Sequence, residues 1–360
     1  MKLHAPQYYA NFHCIANKCV HNCCKAGWEI DIDNKTAEEY KKVKGQFGEK
    51  LRMNIDWNSP QKFIMDKHSN CPFLNENNLC DIITTLGENS LCQICTDHPR
   101  FYEWFGNVKE CGIGLCCEEA TRIILSQNTP FSTIEYDIPD EDTAEYNAEL
   151  YQYLYNARKD IINYLDNHPS PITSNICDVL WYAYTLQQNI DSGLLDDEEI
   201  FEVRPYAANG NLENVLEFFL ALEPNDKNWI TYLNDCMHLC SNTPDKISNF
   251  DDANPQVSTY LKNISIYFVW RYFLKGVFDE DIVSKISLMA ICVAVIKVLF
   301  YCKWLESGNI TLNDCVEIVR QFSEEVEYSE ENLEKLEEAC YTNEYFSVEN
   351  IINWLDKLKE

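Results

Sequence analysis

Eleven of the 18 cysteines of this 360-residue chain fall in its first third, spaced Cys14-x4-Cys19-x3-Cys23-Cys24, Cys71-Pro72, Cys80, Cys92-x2-Cys95, Cys111 and Cys116-Cys117. Thiolates two to four residues apart on loops can converge on a metal, and iron–sulfur and zinc centres both use such donors. Structural zinc usually shows two CxxC knuckles, whereas here Cys92-x2-Cys95 stands alone. Uneven spacing with a Cys-Pro step favours a [4Fe–4S] cluster, with zinc as the alternative. Adjacent cysteines such as Cys23 and Cys24 point apart unless the backbone bends, so one of them can line the core or serve a second metal. Their neighbours Lys18, His21, Asn22, Lys25 and Asp97 are polar, which argues against reduced thiols buried in an apolar core. The CxxxCxxC triad of radical chemistry is absent, because Cys19-x3-Cys23 leads to Ala26 at the third position. The other cysteines (Cys177, Cys236, Cys240, Cys292, Cys302, Cys315, Cys340) lie singly in apolar stretches and read as small buried hydrophobes. Cys236 and Cys240, four apart on one helix with His238 between them, are read the same way, with a metal pair as the alternative.

The elements that must position these groups differ along the chain. The first third is irregular, with a short strand expected over 28–32 and helices over 36–44 and 118–126. A proline-bearing linker over 129–139 follows. Beyond it, apolar residues recur at three- and four-residue spacing, which predicts helices over 143–167, 172–189, 212–221, 228–239, 258–278, 281–306, 311–326, 330–339 and 347–359. Asp140, Thr311 and Ser329 are the expected N-caps. The fold class is therefore mainly α: a cysteine-rich metal-binding domain over 1–130, then an acidic all-α domain over 140–360. No Gly-rich nucleotide loop follows a strand, and no Walker loop, HExxH or GxSxG occurs. The seven histidines do not pair at ligand spacing. The apolar run 286–302 is broken by Lys297 and is shorter than a bilayer span. The opening MKLHAPQYYA has no apolar signal segment. A cytoplasmic protein with no membrane attachment is expected, in a compartment that keeps cysteines as thiols or metal ligands. The net charge of −29 is uneven: 14 basic and 16 acidic residues over 1–130, against 15 basic and 42 acidic over 131–360. Nucleic acid would be repelled and a lysine-bearing protein attracted.

Cys14, Cys19 and Cys23-Cys24, with Trp28 and Asp33 just after, resemble the opening of the flagellin lysine-N-methylase family, which is grouped with zinc/iron-chelating cysteine-cluster proteins. The blocks CPFLNENNLCDI, LGENSLCQICTDHPR and GIGLCCEEATRIIL continue the resemblance, as do YFVWRYFLKGVFDEDIVSKI and EEVEYSEENLEKL in the helical half. The resemblance implies a protein-lysine N-methyltransferase acting on flagellin, with S-adenosylmethionine as donor and an iron–sulfur cluster. On the family pattern the metal cysteines are Cys14, Cys19, Cys23, Cys24, Cys71, Cys80, Cys95 and Cys117. Cys92, Cys111 and Cys116 stand where small residues are expected.

Methylating a lysine requires loss of a proton from a group with a pKa near ~10.4. A sulfonium donor favours aromatic walls and nearby carboxylates. Tyr267, Trp270, Tyr272, Asp279, Glu325, Glu327 and Tyr328 are candidates for those roles. Arg271 and Tyr272 are expected at the edge of a donor pocket, Arg271 holding a donor carboxylate. The opposing reading pairs Arg271 with a local acid such as Asp279, tying helices together. No residue stands out as the catalytic base. The competing functions are a metal-binding or electron-transfer protein without methyltransferase activity, and a zinc-stapled helical interaction protein.

Overall fold

The chain begins with a strand, β1 (Lys2–Pro6), whose partners come from far along the sequence. In the computed structural model, which describes all residues except 26, 142, 144, 196–200, 202–211, 243–246, 359 and 360, the chain forms two units. The first comprises Phe12–Phe101 and Cys117–Ala120; the second comprises Met1–Asn11, Tyr102–Cys116 and Thr121–Glu360. This grouping differs from the expected division at 130–139, because the first strand and a later hairpin belong with the helices. The acidic run 196–199 lies outside the described residues.

The cysteine-rich unit holds α1 (Asn34–Lys42), α2 (Gly45–Met53), the short pair β2 (Ile55–Asp56) and β3 (Lys62–Phe63), α3 (Asp81–Leu86) and α4 (Gln93–Asp97). Asp33 starts α1, its carboxylate accepting from the Thr36 amide at 2.9 Å. The strand expected over 28–32 is reduced to a single bridge between Asp31 and Lys62. This unit has an apolar core, in which Ile32, Tyr40, Leu51, Phe63 and Phe73 surround Cys71 and Cys92, with Cys24, Cys80 and Cys95 packed against it. Polar neighbours therefore do not keep all of these cysteines out of the core: Lys25 beside Cys24 is exposed, whereas Asn22 is half-buried and accepts the Cys24 amide at 2.9 Å.

The second unit carries β4 (Arg100–Phe105), β5 (Val108–Ile113), α5 (Glu118–Leu125), which begins in the cysteine-rich unit, and β6 (Thr133–Asp137). With β1 these strands form a four-stranded sheet in the order β4-β5-β1-β6. β1 runs parallel to β5, with His4 opposite Glu110, and antiparallel to β6, with His4 opposite Glu135. The linker expected over 129–139 is thus a strand, flanked by Pro130 and Pro139 but rich in β-formers between them. β4 and β5 are joined at Gly106, whose φ of +59° and a Tyr146 ring 2.7 Å from where a Cβ would stand leave room for glycine alone.

Beyond residue 140 the regular elements among the described residues are all helical, as expected. The helices are α6 (Ala148–Asn167), α7 (Ile172–Ser192), α8 (Leu212–Leu220), α9 (Lys227–Asn242), α10 (Ile247–Ala253), α11 (Gln256–Tyr272) and α12 (Gly276–Asp279). Then follow α13 (Val283–Ser307), α14 (Leu312–Val326), α15 (Glu330–Thr342) and α16 (Val348–Lys357). Thr311 and Ser329 cap α14 and α15 as expected. Asp140 does not cap a helix: it pairs with the N-terminal amine at 2.6 Å, and Asn147 caps α6 instead. α13 extends past the apolar run at both ends, reaching 25 residues, long and apolar enough to cross a bilayer. It is instead the core helix of this unit, packed on α7, α9, α11, α14, α15 and α16. Its Lys297 is buried against the Asp251 carboxylate at 2.6 Å and the Leu358 carbonyl at 3.1 Å.

Sheet and helices are joined by a buried ion pair. Arg158 on α6 makes two 2.6 Å hydrogen bonds to Glu110 on β5, and their side chains are 2% and 5% exposed. The guanidinium lies 4.3 Å from the Trp270 ring centre, and the Trp270 indole donates to the Cys111 carbonyl at 3.0 Å.

The α14 capping box yields a pH test. Burial raises the Asp314 carboxyl, but bonds from the Thr311 hydroxyl and amide outweigh it and hold the pKa below the ordinary 3.8. A carboxyl depressed in the folded state stabilises above its unfolded pKa and loses that contribution as pH falls through the lower folded value. Asp314→Asn is expected to unfold at lower urea concentration than the parent at pH 7, by about 1 kcal/mol. Urea titrations should show the gap closing below pH 3.8.

Candidate functional site

The last turn of α11 carries Trp270, Arg271 and Tyr272 in succession. Helical geometry points successive side chains about 100° apart. Trp270 faces Arg158, whereas Arg271 enters a second buried network. Arg271 Nη1 donates to the Tyr267 hydroxyl at 2.5 Å and to Glu327 Oε1 at 3.2 Å. The same Oε1 accepts the hydroxyls of Tyr267 and Tyr272, each at 2.9 Å, and Oε2 accepts Ser323 Oγ at 2.8 Å. The guanidinium stands 5.9, 5.2 and 5.0 Å from the ring centres of Tyr267, Tyr272 and Tyr328. It is a cation boxed by three aromatic faces and neutralised by one carboxylate. Burial pushes the three phenols well above the ordinary tyrosine value, so they remain hydrogen-bond donors at neutral pH. Burial alone would lower Arg271, but the surrounding oxygens outweigh it and hold it charged.

Four of the seven acidic and aromatic candidates named from sequence, Tyr267, Tyr272, Glu327 and Tyr328, therefore meet around Arg271. The other three do not. Trp270 serves Arg158, and Asp279 pairs with Lys285 at 2.7 Å rather than with Arg271. Glu325 accepts the amides of Asn225 and Asp226 at 2.7 and 2.8 Å, its carboxyl raised by burial despite them. Arg271 and Tyr272, expected at a pocket edge, sit inside the helical unit with Glu327 as their common partner. Sequence reading missed Ser323, although it lies one helical turn before Glu327. It also missed Cys116, whose thiol is bonded to Tyr328 in the helical unit, away from the other cysteines.

A cavity of about 390 Å³ opens elsewhere in the same unit, lined by Gln7, Tyr8, Phe131, Tyr136, Asp166 and Asn263 among others. Asp166 anchors its wall, accepting the Phe131 amide at 2.5 Å and Lys262 Nζ at 2.7 Å. Arg271 and Tyr272 do not line it.

In the cysteine-rich unit the thiols approach one another from separate loops. The Cys71 amide donates to the Cys24 carbonyl at 2.8 Å, and the thiols of Cys23, Cys24 and Cys71, and those of Cys92 and Cys95, lie close enough to shift one another. The hydrogen bond from Cys24, with help from His98 and against burial, holds Cys23 down at about 4. The Cys24 bond likewise lowers Cys71. Burial raises Cys80 and pushes Cys117 up to about 11. Cys14 is exposed. Cys19 is built as a thiol: it donates to the His21 carbonyl at 3.2 Å and to Glu118 at 3.4 Å, and burial with that carboxylate pushes it up to about 12. Soft donors at Cys23, Cys24, Cys71, Cys92 and Cys95 fit the chemistry of zinc or iron–sulfur ligation. Cys19, facing a carboxylate, fits it poorly. Among the described residues no three His, Cys, Asp or Glu side chains form a ready metal-ligating array. Cys92, left out of the family's ligand set, was signalled by the CxxC knuckle itself. Cys111 is buried in the helical unit.

Residues 158–354 match the family described as the FliB lysine N-methylase C-terminal domain. The chain is similar to the lysine-N-methylase of Salmonella typhimurium strain LT2, at 21% identity over 91% of this chain and 92% of that one. It is 20% identical to the protein of the same name from Salmonella choleraesuis, over 91% and 92% of the two chains. It is 28% identical to the flagellar biosynthetic protein FliU of Salmonella muenchen, over 34% of this chain and 75% of that one. No solved structure matches.

Removing the counter-charge from the boxed guanidinium should cost far more than removing a neutral partner. Glu327→Gln is expected to destabilise by about 3–5 kcal/mol, because it removes the carboxylate 3.2 Å from a buried guanidinium. Ser323→Ala, which removes one neutral hydrogen bond, is expected to cost about 1 kcal/mol. Equilibrium urea unfolding of the two variants measures both.

Proposed function

The chain belongs to the FliB lysine N-methylase family and is a protein-lysine N-methyltransferase. We propose that its substrate is flagellin, its methyl donor is S-adenosylmethionine, and its cysteine-rich unit carries a [4Fe–4S] cluster. The observation that carries this reading is the family match itself. It runs through the helices holding Arg158, Arg271 and Glu327, and likeness to whole lysine-N-methylases extends it over 91% of the chain. The flagellar name of a third relative supports the substrate.

The transfer is polar. The unprotonated ε-nitrogen of lysine attacks the methyl carbon, the carbon–sulfur bond breaks with its electron pair leaving on sulfur, and the ammonium product loses a proton to solvent or a nearby acceptor. The excess of 42 acidic over 15 basic residues in 131–360 favours encounter with a lysine-presenting protein. A cluster, when bound, would supply covalent cross-links and an electron-carrying centre, which a methyl cation transfer does not require. Cys23, Cys24, Cys71 and Cys95 are its proposed holders, with Cys80 beside them; zinc on the same thiols is the alternative. A cytoplasmic location would keep those thiols reduced.

We assign the donor to the cavity rather than to Arg271. Its volume of about 390 Å³ is in the range of small-molecule sites, and Tyr8, Phe131 and Tyr136 offer aromatic faces to adenine and to a sulfonium. A donor carboxylate on Arg271 would have to displace Glu327, its buried counter-ion.

Mass spectrometry of flagellin incubated with the purified chain and S-adenosylmethionine should find methylated lysines, and their absence refutes the substrate or the donor. Calorimetric titration with S-adenosylmethionine locates the donor. Phe131→Ala is expected to weaken binding at least tenfold, whereas Arg271→Lys, which keeps the charge, should leave it within twofold. The reverse pattern returns the donor to Arg271.

A further inference from the structure

Three cysteines read from sequence as separate core hydrophobes come together between α9 and α13. Cys236 and Cys240 lie one helical turn apart on α9 and face Cys302 on α13. Cys240 Sγ is 3.5 Å from Cys302 Sγ, and Cys302 Sγ is also 3.5 Å from the Cys236 carbonyl oxygen. Cys236 and Cys302 are fully buried, whereas Cys240 is half-buried. The methyl-transfer reading uses none of them.

We propose that Cys240 and Cys302 are a peroxide-oxidisable thiol pair that closes to a disulfide between α9 and α13. The two sulfurs need to approach by only about 1.5 Å to reach the disulfide length of about 2.05 Å. Cys240 is the residue oxidised first. It is the half-buried member, whereas Cys302 is fully buried, and contact with the Cys302 sulfur at 3.5 Å holds its thiol below the ordinary value despite burial, as oxidation-sensitive thiols require. The Cys240 thiolate attacks one oxygen of hydrogen peroxide, the O–O bond breaks, and the leaving hydroxide takes up a proton to become water. Cys240 is then a sulfenic acid. The Cys302 sulfur attacks the Cys240 sulfur, a second water leaves, and the disulfide forms. Two thiols are oxidised by two electrons and one peroxide is reduced to two waters. Thiol reductants of the cytosolic class return the pair to its starting state. The bond would fix α9 to α13, the helix against which α11, carrying Arg271, and α14, with Glu327 just past its end, also pack.

The test uses the full chain, reduced, treated with hydrogen peroxide, alkylated, and digested without reductant for mass spectrometry. The expected product is a peptide pair linked between Cys240 and Cys302, with Cys236 alkylated. Cys240→Ser should abolish the link and leave Cys302 alkylated, while Cys236→Ser should leave the link intact. The oxidised chain should unfold several degrees above the reduced chain, and dithiothreitol should reverse the shift. Recovery of Cys240 and Cys302 as alkylated thiols, or a link from Cys302 to Cys236 instead, overturns the proposal. Site-by-site mapping separates this outcome from oxidation of the cysteine-rich unit.

Discussion

A guanidinium can be buried only beside a carboxylate, and the helical unit meets this constraint at Arg158 and Arg271, both of which meet the last turn of α11, and again at Arg320 on α14. Trp270 stacks on Arg158, which is held by Glu110 from the sheet, and Arg271 is held by Glu327 just past the end of α14. One helix end is thereby tied to the sheet and α6 on one side and to α14 on the other. α11 and α13 are buried almost all round, so their apolar contacts specify position along the axis only loosely. Directional ionic and hydroxyl bonds to Glu110 and Glu327 add fixed points that apolar packing alone does not supply.

The boxed Arg271 also has a chemical consequence. Three phenols and a carboxylate around a cation make the kind of cage that binds alkylated ammonium groups, but here the cation is part of the chain. The cage is therefore filled, and its polar atoms are mutually satisfied, which suits a fixed scaffold better than an exchanging site. The cavity near Phe131 is different: Asp166 holds its wall in place while its aromatic rings line the open space.

Much of the helical half was legible because its signal is local. The three- and four-residue periodicity located the helices, and Thr311 and Ser329 announced their starts. The Arg271 network was legible in part, since the block around Tyr267–Tyr272 and the run Glu325–Tyr328 stood out by composition. Which acid would meet Arg271 was not: Asp279 is eight residues away in sequence, Glu327 is 56, and only tertiary packing decides between them. The sheet was missed for the same reason. β1 pairs with β5 more than 100 residues away, and β6 looks like a linker because prolines flank it. The β4–β5 hairpin did carry a local signal, the Gly106–Asn107 turn between aromatic and β-branched runs, but it lay among cysteines that drew the reading toward metal. In the cysteine-rich unit, residue type gave the chemistry while position gave little. Cys71 and Cys92 belong to an apolar core, and Cys111 and Cys116 belong to the other unit.

The acidic charge of 131–360 was plain from composition, but its arrangement was not. At least six of its 15 basic residues, Arg158, Lys262, Arg271, Lys285, Lys297 and Arg320, turn inward, their side chains 23% exposed or less, each against a carboxylate. Cations used as internal counter-charges are withdrawn from the surface, where acidic side chains such as Glu331 and Asp137 remain exposed. Each such pair is internally neutral, so the surplus of 42 acidic over 15 basic residues in 131–360 is carried by the side chains outside these pairs. The pairs that hold α11, α13 and α14 together thus consume acid and base one for one and leave the acidic surplus of this segment to the remaining side chains.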